Sequence, residues 1–156
     1  MPVLDLTKVP LKTGSIYPTP YADLMRGRSS LRLAEAGGLT QFGVNLVTLQ
    51  PRALSSLRHW HLVEDEFVMI TAGECLLVED GGETLMRAGD CAAFPANIPN
   101  GHHFINRSAA PANFLVIGSK APHEVVSYAD VDLVVTMAEG RAVFSHKDGS
   151  SNSEAR

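Results

Sequence analysis

Between residues 42 and 145 the sequence divides into short β-prone runs, with turn residues recurring about every 8 to 12 positions. Residues 42–48 alternate apolar side chains with others, and Asp80-Gly81-Gly82 has the composition of a tight hairpin turn. Helical composition is confined to residues 21–28, which predict one or two turns. The pattern predicts an all-β fold, an antiparallel sandwich or barrel, with a little helix near the N-terminus. The runs that we expect to form strands are 42–48, 54–61, 66–71, 74–78, 83–87, 91–94, 102–106, 113–117, 133–137 and 142–145.

Length and composition fit one domain with its own core. The chain has 156 residues, of which 45% are hydrophobic and 19% charged. A domain of this size buries about two-thirds of the surface of its unfolded chain. Residues 147–156 are small and polar throughout, so we expect a single domain over residues 1–146 followed by a flexible tail.

Charge and hydropathy argue against nucleic acid and membranes as partners. The formal net charge is -4, and the basic residues form no cluster. No apolar run approaches the ~18 to 20 residues of a membrane span, and residues 1–12 lack the basic start and apolar centre of a signal peptide. We therefore expect a cytoplasmic protein in which Cys75 and Cys91 are free thiols.

Four of the six histidines occur in two places, His59 with His61 and His102 with His103. Side chains two positions apart on a strand share a face, so His59 and His61 can bind one metal ion. If the next strand runs back antiparallel, Glu66 can lie beside them, and a closed sheet can bring His102 into the same interior. Imidazoles with one carboxylate suit a divalent first-row metal. The alternative is that these histidines only pack.

Two segments of the sequence have the spacing of a known pair of motifs. Residues 59–73 read H-W-H-L-V-E-D-E-F-V-M-I-T-A-G, which matches His-x-His, four residues, Glu, six residues, Gly. Residues 89–106 read G-D-C-A-A-F-P-A-N-I-P-N-G-H-H-F-I-N, which resembles Gly, five residues, Pro, a short loop, His, three residues, Asn. Together they resemble the paired motifs of the cupin superfamily, and the resemblance covers about residues 40–120. It implies a small single-domain bacterial cupin, similar to those placed near sugar-phosphate isomerases, with a double-stranded β-helix (jelly-roll) barrel and a metal inside its mouth.

The resemblance also implies a cofactor, one divalent transition metal ion. The implied ligands are His59, His61, Glu66 and His102. Imidazole and carboxylate suit Fe, Mn, Ni, Zn and Co alike, so the identity of the metal stays open. The sequence departs from the motifs at Ala53 and Asn97, which stand where glycine is usual, and in two extra residues before the second-motif histidine.

Alternation along the strands predicts which other side chains face the interior. The candidate substrate-binding residues are Gln41, Asn45, Leu57, Val68, Phe104 and Asn106. The apolar members of this set are equally what a filled barrel core requires. A solvated sheet face would account for Gln41 and Asn45, and Asn106 would more often anchor backbone than touch substrate.

The resemblance implies several functions for a small-molecule substrate. A bound metal polarises a carbonyl, which suits a sugar or sugar-phosphate isomerase with Glu66 as its catalytic base, and we rank this function first. An Fe(II)-dependent dioxygenase and a non-catalytic small-molecule-binding module are the alternatives. The sequence places no basic cluster for a phosphate in the cavity. We also expect a homodimer, because small cupins often pair through sheet edges or faces.

Overall fold

Short antiparallel strands are the main regular structure of the computed structural model, which describes residues 2–152. The strands are β1 (Leu11–Thr13), β2 (Arg28–Arg32), β3 (Phe42–Leu49), β4 (His59–His61), β5 (Glu66–Ala72), β6 (Glu74–Glu79), β7 (Gly82–Arg87), β8 (Cys91–Phe94), β9 (His103–Ile105), β10 (Ala112–Ser119), β11 (His123–Tyr128), β12 (Val134–Ala138) and β13 (Arg141–Ser145). Helical structure is limited to α1 (Leu33–Ala36) and two 3₁₀ segments, Leu6–Lys8 and Tyr21–Met25. The prediction of an all-β fold with a little helix near the N-terminus is confirmed.

The strands form three antiparallel sheets. The largest has six strands in the order β1-β2-β3-β10-β5-β8, a second has the order β13-β12-β11-β4, and a third β7-β6-β9. Glu66 lies on the first of these sheets and His59 and His61 on the second, while His102 immediately precedes β9 of the third. The candidate metal ligands therefore come from three sheets.

Residues 11–13 and 28–32 form strands that the sequence pattern does not predict. β1 pairs with β2, and β2 pairs with β3, so both extend the six-stranded sheet. Residues 28–32 read R-S-S-L-R, whose polar face gives no hydrophobic alternation to identify a strand. β11 is also absent from the expected set of strands.

The expected strand over residues 54–61 is regular only at His59–His61, with an isolated bridge at Leu54. Side chains account for the bends between. The Ser55 hydroxyl accepts a hydrogen bond from the Phe104 amide at 2.8 Å, and the Ser56 hydroxyl lies 3.2 Å from Nδ1 of His59. Such local bonds compete with a regular ladder.

Two clusters of buried apolar side chains flank a central cavity. One cluster contains Val68, Phe104 and Phe114, and the other is built around Tyr128 and Leu133. Phe104, Phe114 and Tyr128 also line the cavity, which has a volume of about 510 Å³ and reaches the candidate metal ligands. That volume lies within the range typical of small-molecule sites.

The end of the domain is partly described. Within residues 147–152 the chain turns back, with a bridge between Ser145 and Ser151 and a hydrogen bond from the His146 amide to the Ser150 carbonyl. Residues 153–156 of the expected flexible tail lie outside the described residues. Among residues 2–152, no helix has the length and apolar character needed to span a bilayer.

Candidate metal centre

The two histidine segments are joined through the backbone. His59 and His102 form an antiparallel bridge, with N–H···O=C distances of 3.1 and 2.9 Å, and their ring centroids are 4.8 Å apart. His61 lies on the same face of β4 as His59, with ring centroids 5.1 Å apart. The strand alternation and one backbone bridge therefore bring three imidazoles to one place.

Glu66, the first residue of β5, completes the cluster. Its Oε1 lies 3.2 Å from Nε2 of His102, and its Oε2 lies 3.4 Å from Nε2 of His61. One potential ligand atom each from His59, His61 and Glu66 lies within 4.8 Å of the others. Ligand atoms bound to one metal at about 2.1 Å lie about 3 Å apart when they are at right angles. Three of the four predicted ligands, His59, His61 and Glu66, thus form a group that could hold a metal ion, and the fourth, His102, contacts Glu66.

The protonation states suit metal binding. Burial lowers the pKa of His59 to about 4, so its imidazole is neutral at pH 7. Nδ1 of His59 lies 2.9 Å from the Leu57 carbonyl, to which it donates, and this leaves the lone pair on Nε2. Burial tends to raise the pKa of the Glu66 carboxyl, but the imidazoles of His102 and His61 outweigh it and hold that pKa well below its usual range. A neutral imidazole and an ionised carboxylate are what a divalent cation binds.

Unpaired nitrogens in the cluster fit a bound cation. Both ring nitrogens of His61 and Nδ1 of His102 are buried and have no hydrogen-bond partner within residues 2–152. The contact between His61 and Glu66 is close in distance but does not have the geometry of a hydrogen bond. Buried polar atoms are seldom left unsatisfied, and a metal bound at Nε2 of His61 would satisfy one of these atoms.

Glu124 on β11 supports the cluster from behind. Its side chain is buried, with 2% exposure, and accepts hydrogen bonds from the backbone N–H groups of residues 62–64 and from that of Val125. Its Oε2 lies 3.7 Å from Nδ1 of His61, on the side of the ring away from Glu66. A carboxylate in this position favours the tautomer that presents Nε2 to a metal.

A second group of possible ligands, His61, Glu64 and Glu124, lies beside the first. The carboxylate of Glu124 already accepts several backbone N–H groups, and Glu64 Oε1 accepts the Ala121 amide at 2.7 Å. Backbone donors thus already bond to both oxygens of Glu124 and to one oxygen of Glu64.

Phe94 and Arg58 hold the ligands in place. The Phe94 ring stacks on the His102 imidazole, with centroids 3.5 Å apart and planes at 3°. Arg58 donates to both carboxylate oxygens of Asp130 at 2.8 and 2.7 Å, to Asp80 at 2.7 Å and to the Gly101 carbonyl at 3.1 Å. Arg58 directly precedes His59, and Gly101 directly precedes His102. The bonds of Arg58 therefore connect the loops that contain Asp80 and Asp130 to both histidine segments.

Two motif positions have backbone conformations that explain the residue type. Gly73 has a φ of 71°, and a Cβ there would lie 2.8 Å from the Pro111 carbonyl oxygen. Asn97, which stands where the motif usually has glycine, has a φ of 61°, a conformation that Asn tolerates better than most residues. The Asn97 amide donates to the His61 carbonyl at 2.8 Å, so this departure from the motif is accommodated beside a ligand.

The candidate substrate-binding residues fall into two groups. Asn45 and Phe104 line the cavity. The other four lie elsewhere: Gln41 is exposed, Leu57 and Val68 are in the two buried clusters, and Asn106 is buried. The side-chain amide of Asn106 donates to the backbone carbonyls of Leu49 and Ala110 at 2.9 and 2.8 Å, so Asn106 anchors backbone.

Several residues that line the cavity were not predicted from the sequence as site residues. Lys12, Tyr17, Arg28 and Arg32 all line the cavity, and all belong to the N-terminal 32 residues. The position of Phe94 in the sequence could have placed it near the site, because it directly precedes the proline of the second motif on a predicted strand. Glu124 had none, because a lone glutamate in a polar-apolar run is normally exposed.

Fold and site together define a small antiparallel jelly-roll protein with a His/Glu cluster suited to a divalent metal. Comparison with known proteins identifies the family. The cupin domain pattern matches residues 45–118. The structure is similar to the crystal structure of a sugar phosphate isomerase of the cupin superfamily from the organism Silicibacter pomeroyi DSS-3. The two chains are 52% identical, with a TM-score of 0.95, and the match covers 99% of this chain and 100% of that chain. The chain belongs to the cupin superfamily, and the expected fold is confirmed.

Two further structures extend the comparison. A protein from Acidithiobacillus ferrooxidans ATCC 23270 is 25% identical, with a TM-score of 0.73 over 78% of this chain and 77% of that chain. A polyketide cyclase from Streptomyces resistomycificus is 19% identical, with a TM-score of 0.66 over 84% of this chain and 87% of that chain, and shares the fold alone. No curated protein matches the sequence.

Proposed function

We propose that the protein is a metal-dependent isomerase of a sugar or sugar phosphate. The observation that carries the proposal is the cluster of His59, His61, Glu66 and His102, set in the wall of a cavity of about 510 Å³. The similarity to the Silicibacter pomeroyi sugar phosphate isomerase, at 52% identity over 99% of the chain, supports it. Cupins with other activities share the fold, so the site and not the fold has to support the reaction.

The four clustered side chains are the proposed metal ligands. A divalent metal held by them would supply Lewis-acid chemistry, which polarises a substrate carbonyl and makes a neighbouring C–H more acidic. Glu66 is the proposed base. Its carboxylate is ionised and lies at the cavity wall. If it leaves the metal, or holds it through one oxygen only, a free oxygen can take the proton that moves between adjacent carbons. Asn45 and Phe104 are the proposed substrate contacts, since both face the same cavity.

Proton exchange in heavy water tests this proposal across several classes of sugar at once. We would incubate metal-loaded protein with a panel of aldoses, ketoses and their phosphates and follow loss of the C–H signal by NMR. The proposal expects exchange with one class of substrate and a fall of about 100-fold or more in Glu66→Gln, a larger loss than that of bound metal, with metal held at saturation for both proteins. Glu139→Gln is the matched control, because Glu139 is exposed and is included in none of the ion pairs of the described residues.

The other outcomes of the same incubation are distinct. Full activity without metal would overturn the proposal. Consumption of dioxygen would favour the dioxygenase, and stoichiometric uptake of a ligand without exchange or product would favour a binding module. Less than about 0.1 metal ion per chain after supplementation would indicate that the histidines only pack.

We also propose that the protein is a cytoplasmic homodimer. The outer face of the six-stranded sheet supports the dimer, because Leu46, Leu115 and Met69 lie in one row of its register. Phe67 and Met69 on this face are 39% and 37% exposed. Light scattering should give twice the chain mass of 16.8 kDa, and Met69→Lys should lower it. A wild-type mass of one chain would contradict the dimer, and cell fractionation would test the location.

A further inference from the structure

Three basic side chains line the same cavity as the metal cluster. Lys12 lies on β1, and Arg28 and Arg32 lie on β2. Alternation along β2 places Arg28, Ser30 and Arg32 on one face. Ser30 pairs in register with Lys12 on one side and with Val47 on the other, and all three of these residues line the cavity. The N-terminal strands therefore present a positively charged wall to the cavity.

Arg28 has no carboxylate partner in the part of the chain that the structure describes. Arg58 and Arg107 each form short ion pairs, and Arg32 lies 3.4 Å from Glu35. Arg28 is half-buried, and this burial lowers the pKa of its guanidinium. A guanidinium stays protonated at neutral pH. A half-buried cation with no counter-ion is costly unless a ligand supplies the negative charge.

The charged wall and the metal cluster lie within reach of one small molecule. Tyr17 is close enough to both Arg28 and Glu66 for each charge to act on the pKa of its hydroxyl, which burial raises. Tyr17 also lines the cavity and packs edge-on against Tyr128, with ring centroids 5.4 Å apart. Tyr17, Arg28 and Glu66 therefore line one cavity, with both charged groups near the Tyr17 hydroxyl.

We propose that Arg28, with Lys12 and the Ser30 hydroxyl, binds the phosphate group of a phosphorylated substrate whose other end reaches the metal cluster. Among residues 2–152, Lys12 and Arg28 are in no ion pair with a carboxylate, so their two charges match the double charge of a phosphate monoester. A planar guanidinium binds two oxygens of such a group at once. Arg32, already beside Glu35, adds positive potential at the same wall. Contact of the substrate's other end with the metal cluster rests on the proposed function, whereas the phosphate site does not.

Titration calorimetry with inorganic phosphate tests the site in metal-free protein, where phosphate cannot bind a metal. Wild type should bind at fixed, low ionic strength, and Arg28→Met should weaken binding about tenfold or more, a change of about 1.4 kcal/mol. Arg141→Met is the matched control, because Arg141 is exposed on β13 and lines none of this cavity. Unchanged affinity in a folded Arg28→Met protein would overturn the site.

Further variants and ligands keep the result interpretable. Lys12→Gln alters an exposed residue, so it should fold normally and weaken phosphate binding about threefold. Should Arg28→Met fail to fold, wild-type affinity in Lys12→Gln would overturn the site instead. Acetate binding as tightly as phosphate would overturn the assignment to a phosphate group.

The two proposals fail separately. Metal content is measured in the same samples, and Arg28→Met should hold as much metal as wild type. Wild type that takes up metal but binds no phosphate would overturn the phosphate site and leave the isomerase of an uncharged sugar standing. Wild type that binds phosphate but takes up no metal would overturn the metal-dependent reaction and leave the phosphate site standing.

Discussion

Replacing Glu124 by Gln perturbs the support of the metal cluster at a single atom. The carboxylate is buried, and Oε1 accepts the Leu62 amide at 3.0 Å and the Val125 amide at 2.6 Å. Oε2 accepts the Glu64 amide at 2.6 Å and lies 3.7 Å from Nδ1 of His61. In Glu124→Gln one of these two oxygens becomes an NH₂ group, which cannot accept from a backbone N–H.

The magnitude follows from counting the bonds that the amide must lose. If the NH₂ group takes the place of Oε2, the strong hydrogen bond from the Glu64 amide is lost. If it takes the place of Oε1, the hydrogen bonds from the Leu62 and Val125 amides are lost. A hydrogen bond to a buried charged group contributes about 1.5 to 3 kcal/mol. We therefore expect the free energy of unfolding to fall by about 2 to 3 kcal/mol. For a domain of this size, that change lowers Tm by about 4 to 10 °C.

The same substitution should weaken metal binding. Without a carboxylate facing Nδ1, the His61 imidazole loses the interaction that favours presenting Nε2 to the metal. Changes of this kind typically cost about 10- to 100-fold in metal affinity. The assays are urea unfolding of the metal-free protein and competition for Zn²⁺ with a chromophoric chelator, each with Glu139→Gln as control.

Each assay refutes a different part of the reasoning. Stability within about 0.5 kcal/mol of wild type would show that the backbone donors of residues 62–64 do not depend on the charge of Glu124. Reduced stability with unchanged Zn²⁺ affinity would show that Glu124 holds the loop but does not orient His61.

Three further predictions concern the scaffold of the site. Gly73→Ala should destabilise the protein by about 2 kcal/mol or more in urea unfolding, because the position has positive φ and the Cβ would meet the Pro111 carbonyl; wild-type stability would contradict this. Phe94→Leu removes the ring stacked on an imidazole ligand and should weaken Zn²⁺ binding more than it lowers stability, and an unchanged affinity would refute that role. Metal-free protein should lose stability as the pH falls from about 6.5 towards 4, because burial lowers the pKa of His59 and its protonation opposes folding. Glu66 raises the pKa of His61 against the effect of burial, so the contribution of His61 to the free energy of unfolding is constant below pH 6.5. His59→Gln should therefore flatten the dependence of the urea midpoint on pH.

The strand pattern and the ligand set could be predicted from the sequence because both depend on local rules. Alternation along a strand and the composition of turns identify β3, β5, β6 and β8 to within one or two residues. His59, His61 and Glu66 lie on two strands that follow one another in the chain but belong to different sheets, and Glu66 also contacts His102. The resemblance to the cupin motifs then identified Glu66 and His102, rather than the acidic residues or the histidine next to them, as the expected ligands.

Only the tertiary structure decided what surrounds that cluster. Polar strands such as β2 have no hydrophobic period of their own and become strands because β3 offers them a partner. That pairing is what brings Arg28 to the cavity. Glu124 is buried because backbone donors from a loop about 60 residues away in sequence satisfy it, a contact that local sequence cannot encode. Residue spacing thus determined the chemistry of the proposed metal site, whereas long-range pairing determined its supports and the charged wall opposite it.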